Sequence, residues 1–342
     1  MTLKGNLLPL GIGSMPFDNI SEAMEQVFEN YKEFPYWPQL PNINNYENMY
    51  IQYCEGLPKC KLDIEKGSVH MTMNELENSD REKFYNNVIQ NRAEYFKITE
   101  KFSKGLYALK NFLNKNNVEY YKLKGHVTGA VSFSLTITDE NKKSLIYNDE
   151  ARDMIVELIK MKAMWQEKFF NEDMIIFFDE PYMVSYGSAF FNMSEDVIID
   201  MFNRCFSGVK GYSGIHCCGN TDWSLILKTD VNIINFDAFL YMDNFLIYAD
   251  DIKKFLDRNG FLAWGIVPTN EQIRAVSIEE MENIFKKAFD KLTSCGVPSE
   301  KILLQSFITP SCGTGSMDSE DALKVLRTNK ILSDRLREKY LQ

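Results

Sequence analysis

The sequence predicts an α/β fold, a single (β/α)8 TIM barrel elaborated by an N-terminal loop and helical cap. Three observations carry that expectation. Apolar, strand-like runs alternate with amphipathic helical stretches along most of the chain, the signature of a parallel sheet with covered faces. The strand-like runs end in residues able to do chemistry, and in a parallel barrel all strand C-termini open on one face. The 342 residues, 45% of them hydrophobic and 25% charged, suffice for one large core, and no low-complexity tract or linker divides them. The reading is therefore one domain, 1–342, with a doubly wound open sheet as the competing architecture.

In chain order, "PLGIGSM" reads as a first strand ending near Ser14, followed by the helix "NISEAMEQVFENYK". Residues 33–78 are rich in Pro, Asn and Tyr and show no clean period, so they read as a long loop over one end of the sheet. Residues 80–116 read as two helices, making 33–116 the expected cap. "YYKLKGHVTGAVSF" is a strand carrying His126 and ending at Thr128, and a long helix, "NDEARDMIVELIKMKAMWQEKFF", follows it. "MIIFFDEP" ends in Asp179 and Glu180, and the helix "SEDVIIDMFNRCF" leads to "YSGIHCCGN", with His216 and Cys218. "VNIINFDAF" carries Asn235 and Asp237, then come "YADDIKKFLDR" and the strand "GFLAWGIVP". The helix "SIEEMENIFKKAFDKLTSCG" closes on Cys295 and Gly296 as a C-cap, and "KILLQSFITPSCG" ends at Cys312.

Composition excludes several partners. A net charge of −10 without a Lys/Arg run leaves no basic face for nucleic acid. No apolar stretch reaches the roughly 18–20 residues that span a bilayer. The N-terminal apolar stretch is broken by Pro9, Gly11 and Gly13 and lacks a small-residue cleavage site, so it does not read as a signal peptide. Seven cysteines, odd in number and irregularly spaced, point to a reducing compartment, the cytoplasm.

The densest chemistry lies in "IHCCGN". Side chains alternate along a strand, so His216 and Cys218 share a face and Cys217 points the other way. A further thiol, Cys312, sits in the turn "TPSCGTG". Zinc favours tetrahedral N/S donors, and three protein ligands with one open position is the catalytic pattern. Spacing alone leaves a second reading open, because free cysteine also behaves as a small core hydrophobe. Cys54, Cys60, Cys205 and Cys295, in loops or on helices, take that second reading.

Taken together and in this order, "GIGSMPF", "LKGHVTGAVSF", "FFDEPYM", "IHCCGN", "WGIVP" and "TPSCGTG" resemble the catalytic barrel of cobalamin-independent methionine synthase. They also resemble the related methylcobamide:coenzyme M methyltransferases of the uroporphyrinogen-decarboxylase-like superfamily. The resemblance implies zinc ligated by His216, Cys218 and Cys312, with Ser14 and Asp179 lining the amino-acid end of a thiol substrate. Glu180, the second residue of the D-E-P motif, is expected beside the substrate. The chain departs from the family where "VNIINFDAF" offers no glutamate ligand; Asp237 is there either a weak fourth ligand or a group near the mouth. It departs again at His126, where the family tends to be apolar; a substrate contact and a hydrogen-bonded core histidine are the two readings. The implied activity is zinc-dependent methyl transfer to a small thiol, homocysteine-like or coenzyme M-like. With room for one barrel, the methyl group would come from a corrinoid protein or another small donor. A metal-free decarboxylase of the porphyrinogen type and a non-catalytic metal-binding module are the alternatives.

Overall fold

In the computed structural model, which describes residues 3–341, seven short strands run parallel in one curled sheet. The strands are β1 (Leu8–Pro9), an antiparallel hairpin β2 (Cys60–Asp63) and β3 (Ser68–Met71) outside the main sheet, then β4 (Lys124–Thr128), β5 (Ile175–Asp179) and β6 (Tyr212–Cys217). They continue with β7 (Ile233–Phe236), β8 (Phe261–Val267) and β9 (Ser306–Pro310), and the order across the main sheet is β1-β9-β8-β7-β6-β5-β4. All seven residues of β8 and all five of β9 are buried, as expected of parallel strands covered on both faces.

Alternation sorts each strand into two cores. Ile175, Phe177, Ile233, Phe261, Ala263 and Phe307 pack together inside the curl, with Leu10 and Phe34. Their neighbours Ile176, Phe178, Ile215, Ile234, Leu262 and Trp264 face outward into the larger core under the helices. Gly214 is required by the inner packing, since a Cβ there would lie 2.2 Å from the Phe177 ring.

The expected eighth barrel strand does not form as a regular strand. Instead the stretch 35–39 lies between the two sheet edges, with single parallel bridges from Gln39 to Ser14 and from Tyr36 to Lys124. The Met15 amide donates to the Gln39 carbonyl (2.9 Å) and the Lys124 amide to the Pro35 carbonyl (2.9 Å). The Lys124 ammonium crosses the same seam to the Ile12 carbonyl. Pro35, Pro38 and Pro41 lack the amide donors that a continuous ladder needs, which explains the irregularity.

The remainder of 33–78 is more ordered than its lack of period suggests. It holds 3-10 turns at Asn45–Glu47 and Ile51–Tyr53 besides the β2–β3 hairpin. Asn44 and Asn48 accept from the amides of Tyr46 (2.8 Å) and Tyr50 (3.0 Å), local side-chain turns that carry no hydrophobic period. Helices at Asn78–Ile89 and Lys104–Lys115 follow, matching the two expected there. The helix Asp149–Phe170 is capped by Asn148 and stops at Asn171 in the left-handed conformation. The helix Ile278–Ser294 opens on a Ser277/Glu280 capping box and ends at Cys295, with Gly296 at φ +82°. Among the described residues no helix is long and apolar enough to cross a membrane.

Lys162, on the Asp149–Phe170 helix, is fully buried, and its ammonium donates to the Phe96 carbonyl at 3.1 Å. Burial pulls its pKa down to about 8. The folded chain then binds fewer protons than the unfolded one between about pH 8 and the ordinary lysine value of 10.5, so this residue's contribution to stability rises with pH there. Lys162→Met should raise stability at pH 7 by about 1–3 kcal/mol, and the gain should shrink by pH 9.5. Thermal denaturation at the two pH values measures it, and a gain that holds or grows would contradict the burial argument.

Candidate metal centre

The C-terminal ends of β5, β6 and β7 lie side by side, with Asp179 in register with His216 and His216 in register with Asn235. Cys218 follows β6 directly and Cys312 follows β9 by two residues. One donor atom each from His216, Cys218 and Cys312 falls within 4.8 Å of the others, and among the described residues no other group of three or more His, Cys, Asp or Glu donors converges in this way.

The tautomer of His216 follows from its partner. Asn235 spends its amide protons on the Ala263 carbonyl and the Thr309 hydroxyl, both at 2.8 Å, so its Oδ1 must accept from His216 Nδ1 at 2.5 Å. The Nε2 lone pair is left free, and Nε2 is buried without a hydrogen-bond partner. The nearby Cys312 and then His216 draw the Cys218 thiol down to about 4, whereas Cys218, followed by burial, drives Cys312 up. Burial opposes charge on His216, but Cys218 and Asp179 outweigh it and raise its pKa. A thiolate, a neighbouring carboxylate and an orphaned imidazole nitrogen make a site that calls for positive charge. A soft divalent metal fits that donor set.

Cys217 faces the outer core, fully buried, with its thiol 3.5 Å from the Gly219 carbonyl and pushed up by burial to about 12. It is remote in chemistry although adjacent in sequence. Cys54 and Cys205 are also buried away from the centre, and both thiols are raised by desolvation.

The other residues singled out from sequence take distinct positions. Ser14 interlocks with the turn after Cys312: its Oγ accepts from the Gly315 amide (3.3 Å), and its carbonyl accepts from the Thr314 amide (2.9 Å). Gly313 admits no side chain, because a Cβ would stand 2.1 Å from that Oγ. Asp179 is half-buried with its Oδ1 inaccessible and unpartnered, and desolvation pushes its carboxyl up to about 6 against the pull of His216 and Lys124. Asp237 caps the helix Ala238–Leu246 by accepting from the Leu240 amide (2.9 Å), and burial raises it to about 6. Glu180 turns to the N-terminus of the helix Ala130–Thr136, where its oxygens accept from the amides of Val131 (3.0 Å) and Ser132 (2.7 Å). Thr128 donates to the Met49 carbonyl at 2.6 Å.

Sequence reasoning passed over Asn235 as a partner of His216 and missed Tyr50 and Tyr53 entirely. Tyr50 lies close enough to Cys218 and Glu180 to feel their charge, although burial is the main cause of its raised pKa. The Tyr53 hydroxyl reaches the His126 carbonyl at 3.3 Å. Both come from an aperiodic segment that offers no signal of where it folds back. A cleft of about 630 Å³ opens at the opposite, N-terminal ends of the strands, among Leu3, Tyr212, Phe261 and Gln305. The donor chemistry, rather than that volume, locates the candidate site.

No family model and no curated protein matches the sequence. Solved structures do match. A putative vitamin-B12 independent methionine synthase from Listeria monocytogenes is 13% identical, with 96% of this chain and 98% of that one covered and a TM-score of 0.58. A methyltransferase from Methanosarcina mazei is 14% identical, with 95% and 93% covered and a TM-score of 0.53. At such identities the likeness is one of fold, over nearly the whole of each chain.

Proposed function

We propose that this chain is a zinc-dependent methyltransferase that moves a methyl group to a small thiol. The observation that carries the reading is the convergence of His216, Cys218 and Cys312 within 4.8 Å, with the free imidazole nitrogen aimed by Asn235. Held by Cys218 and Cys312 as thiolates and by a neutral His216, zinc would carry no net formal charge at the site and would let an incoming thiol lose its proton to solvent while leaving its sulfur nucleophilic.

The chain's own residues would do the rest. Asn235 orients His216 as an outer partner of the ligand set. Asp179, unpartnered and beside His216, receives a cationic group on the substrate tail, and Ser14 with the amides of its turn receives an anionic one. Asp237 borders the mouth, and Glu180 holds the helix Ala130–Thr136 in place behind Asp179. The chain acts as one domain in which 35–39 completes a (β/α)8 ring and 33–116 covers its mouth, a placement supported by the Tyr53–His126 and Met49–Thr128 bonds. The methyl group comes from a corrinoid protein or from a small-molecule donor. Methyl transfer is in keeping with the two proteins of similar fold, a methyltransferase and a putative methionine synthase. Seven free cysteines accord with the cytoplasm.

Calorimetry with homocysteine should show binding to the zinc-loaded protein with release of about one proton per thiol at neutral pH. Absence of binding, or binding that survives removal of the metal, overturns the reading in favour of a metal-free decarboxylase.

A further inference from the structure

His126 projects into the curl from β4, paired with Phe177, one step deeper than the Thr128–Asp179 pair. It is 1% exposed, and neither ring nitrogen has a hydrogen-bond partner. The residue is nevertheless firmly placed. Its carbonyl accepts from Gln166 Nε2 (3.0 Å) and the Tyr53 hydroxyl (3.3 Å), and its ring stacks on Trp37 with centroids 3.7 Å apart. Trp37 is itself tied by its indole N–H to Gln166 Oε1 at 2.8 Å.

The ring edge faces the turn that carries Ser14. A Cβ on Gly13 would come within 2.8 Å of His126 Cε1 and Nδ1, so Gly13 is needed for that approach. Two orphaned polar atoms are costly in a core, and phenylalanine would stack on Trp37 without that cost. Burial, with the nearby Lys124 ammonium adding to it, keeps the ring neutral. A neutral imidazole offers one donor and one acceptor. In the same inner layer Asp179 Oδ1, an acceptor, is orphaned as well, as is His216 Nε2.

Building on the thiol-site reading above, we propose that His126 is a specificity-determining residue that binds the tail of the thiol substrate. The matching tail both donates and accepts hydrogen bonds, as an α-amino acid does. A tail with acceptors only, such as a sulfonate, leaves the imidazole acceptor and Asp179 unmet.

The test compares zinc-loaded wild type with His126→Phe and His126→Asn by calorimetry. Homocysteine and ethanethiol, which lacks a polar tail, are the probes, with metal content and thermal stability measured alongside. His126→Phe should fold with unchanged or higher Tm, keep its metal and bind ethanethiol as wild type does. It should lose about tenfold or more in homocysteine affinity, the scale of one lost hydrogen bond to a charged group. His126→Asn, which retains a donor and an acceptor, should recover part of that loss and is the informative variant if His126→Phe does not fold. Unchanged homocysteine affinity in both variants, or equal losses for the two thiols, overturns the role of His126. A wild type that binds neither thiol instead removes the thiol-site reading beneath it.

Discussion

Cys218→Ser and Cys312→Ser should each lower the metal content from about one ion per chain to near zero after dialysis, while Cys217→Ser leaves it unchanged. Serine is neither a thiolate nor readily ionised, so either exchange leaves a two-ligand site that holds a divalent ion weakly. Cys217 lies on the opposite strand face in an apolar core, where its thiol is pushed up to about 12 and is no ligand. Asn235→Leu should fall between, costing about 10–100-fold in metal affinity by releasing the His216 ring from its fixed tautomer. Elemental analysis and competition with a chelating dye measure all four. Full retention of metal in Cys312→Ser would sink the proposed ligand set.

A second large effect is expected at Glu180. Its carboxylate is fully buried and satisfies the amides of Val131 and Ser132 at the start of a buried helix. Glu180→Leu strands both donors in a buried setting, and should cost about 3–5 kcal/mol, a large part of the roughly 5–15 kcal/mol that holds a typical domain folded. Glu180→Gln, which keeps one acceptor oxygen, should cost clearly less. Urea denaturation decides it. Equal stability of wild type and Glu180→Leu would mean that those amides do not depend on Glu180, and a substrate contact would become its better account.

These two cases show how unevenly the site was legible. In "IHCCGN" the period of a strand is enough to separate Cys217 from Cys218, because the direction of successive side chains is a local property of extended backbone. In "FFDEP" the same rule separates Asp179 from Glu180, but it does not say what either meets. Glu180 meets a helix N-terminus that lies some fifty residues earlier in the chain, and the short helix Ala130–Thr136 has no distinct amphipathic pattern to announce it.

By itself the sequence determined the alternation of strand and helix, the C-cap at Cys295 and Gly296, the shared face of His216 and Cys218, and the polar character of the strand ends. All of these follow from propensity, capping and periodicity within a few residues. Tertiary structure alone decided that Asn235 is the residue opposite His216 and that His126 is buried without a partner. It also decided that the Pro-rich stretch 35–39, rather than a regular strand, lies between the edges β1 and β4. These depend on strand register and on the curl of the sheet, which arise from packing between residues far apart in the chain and leave no trace in local pattern.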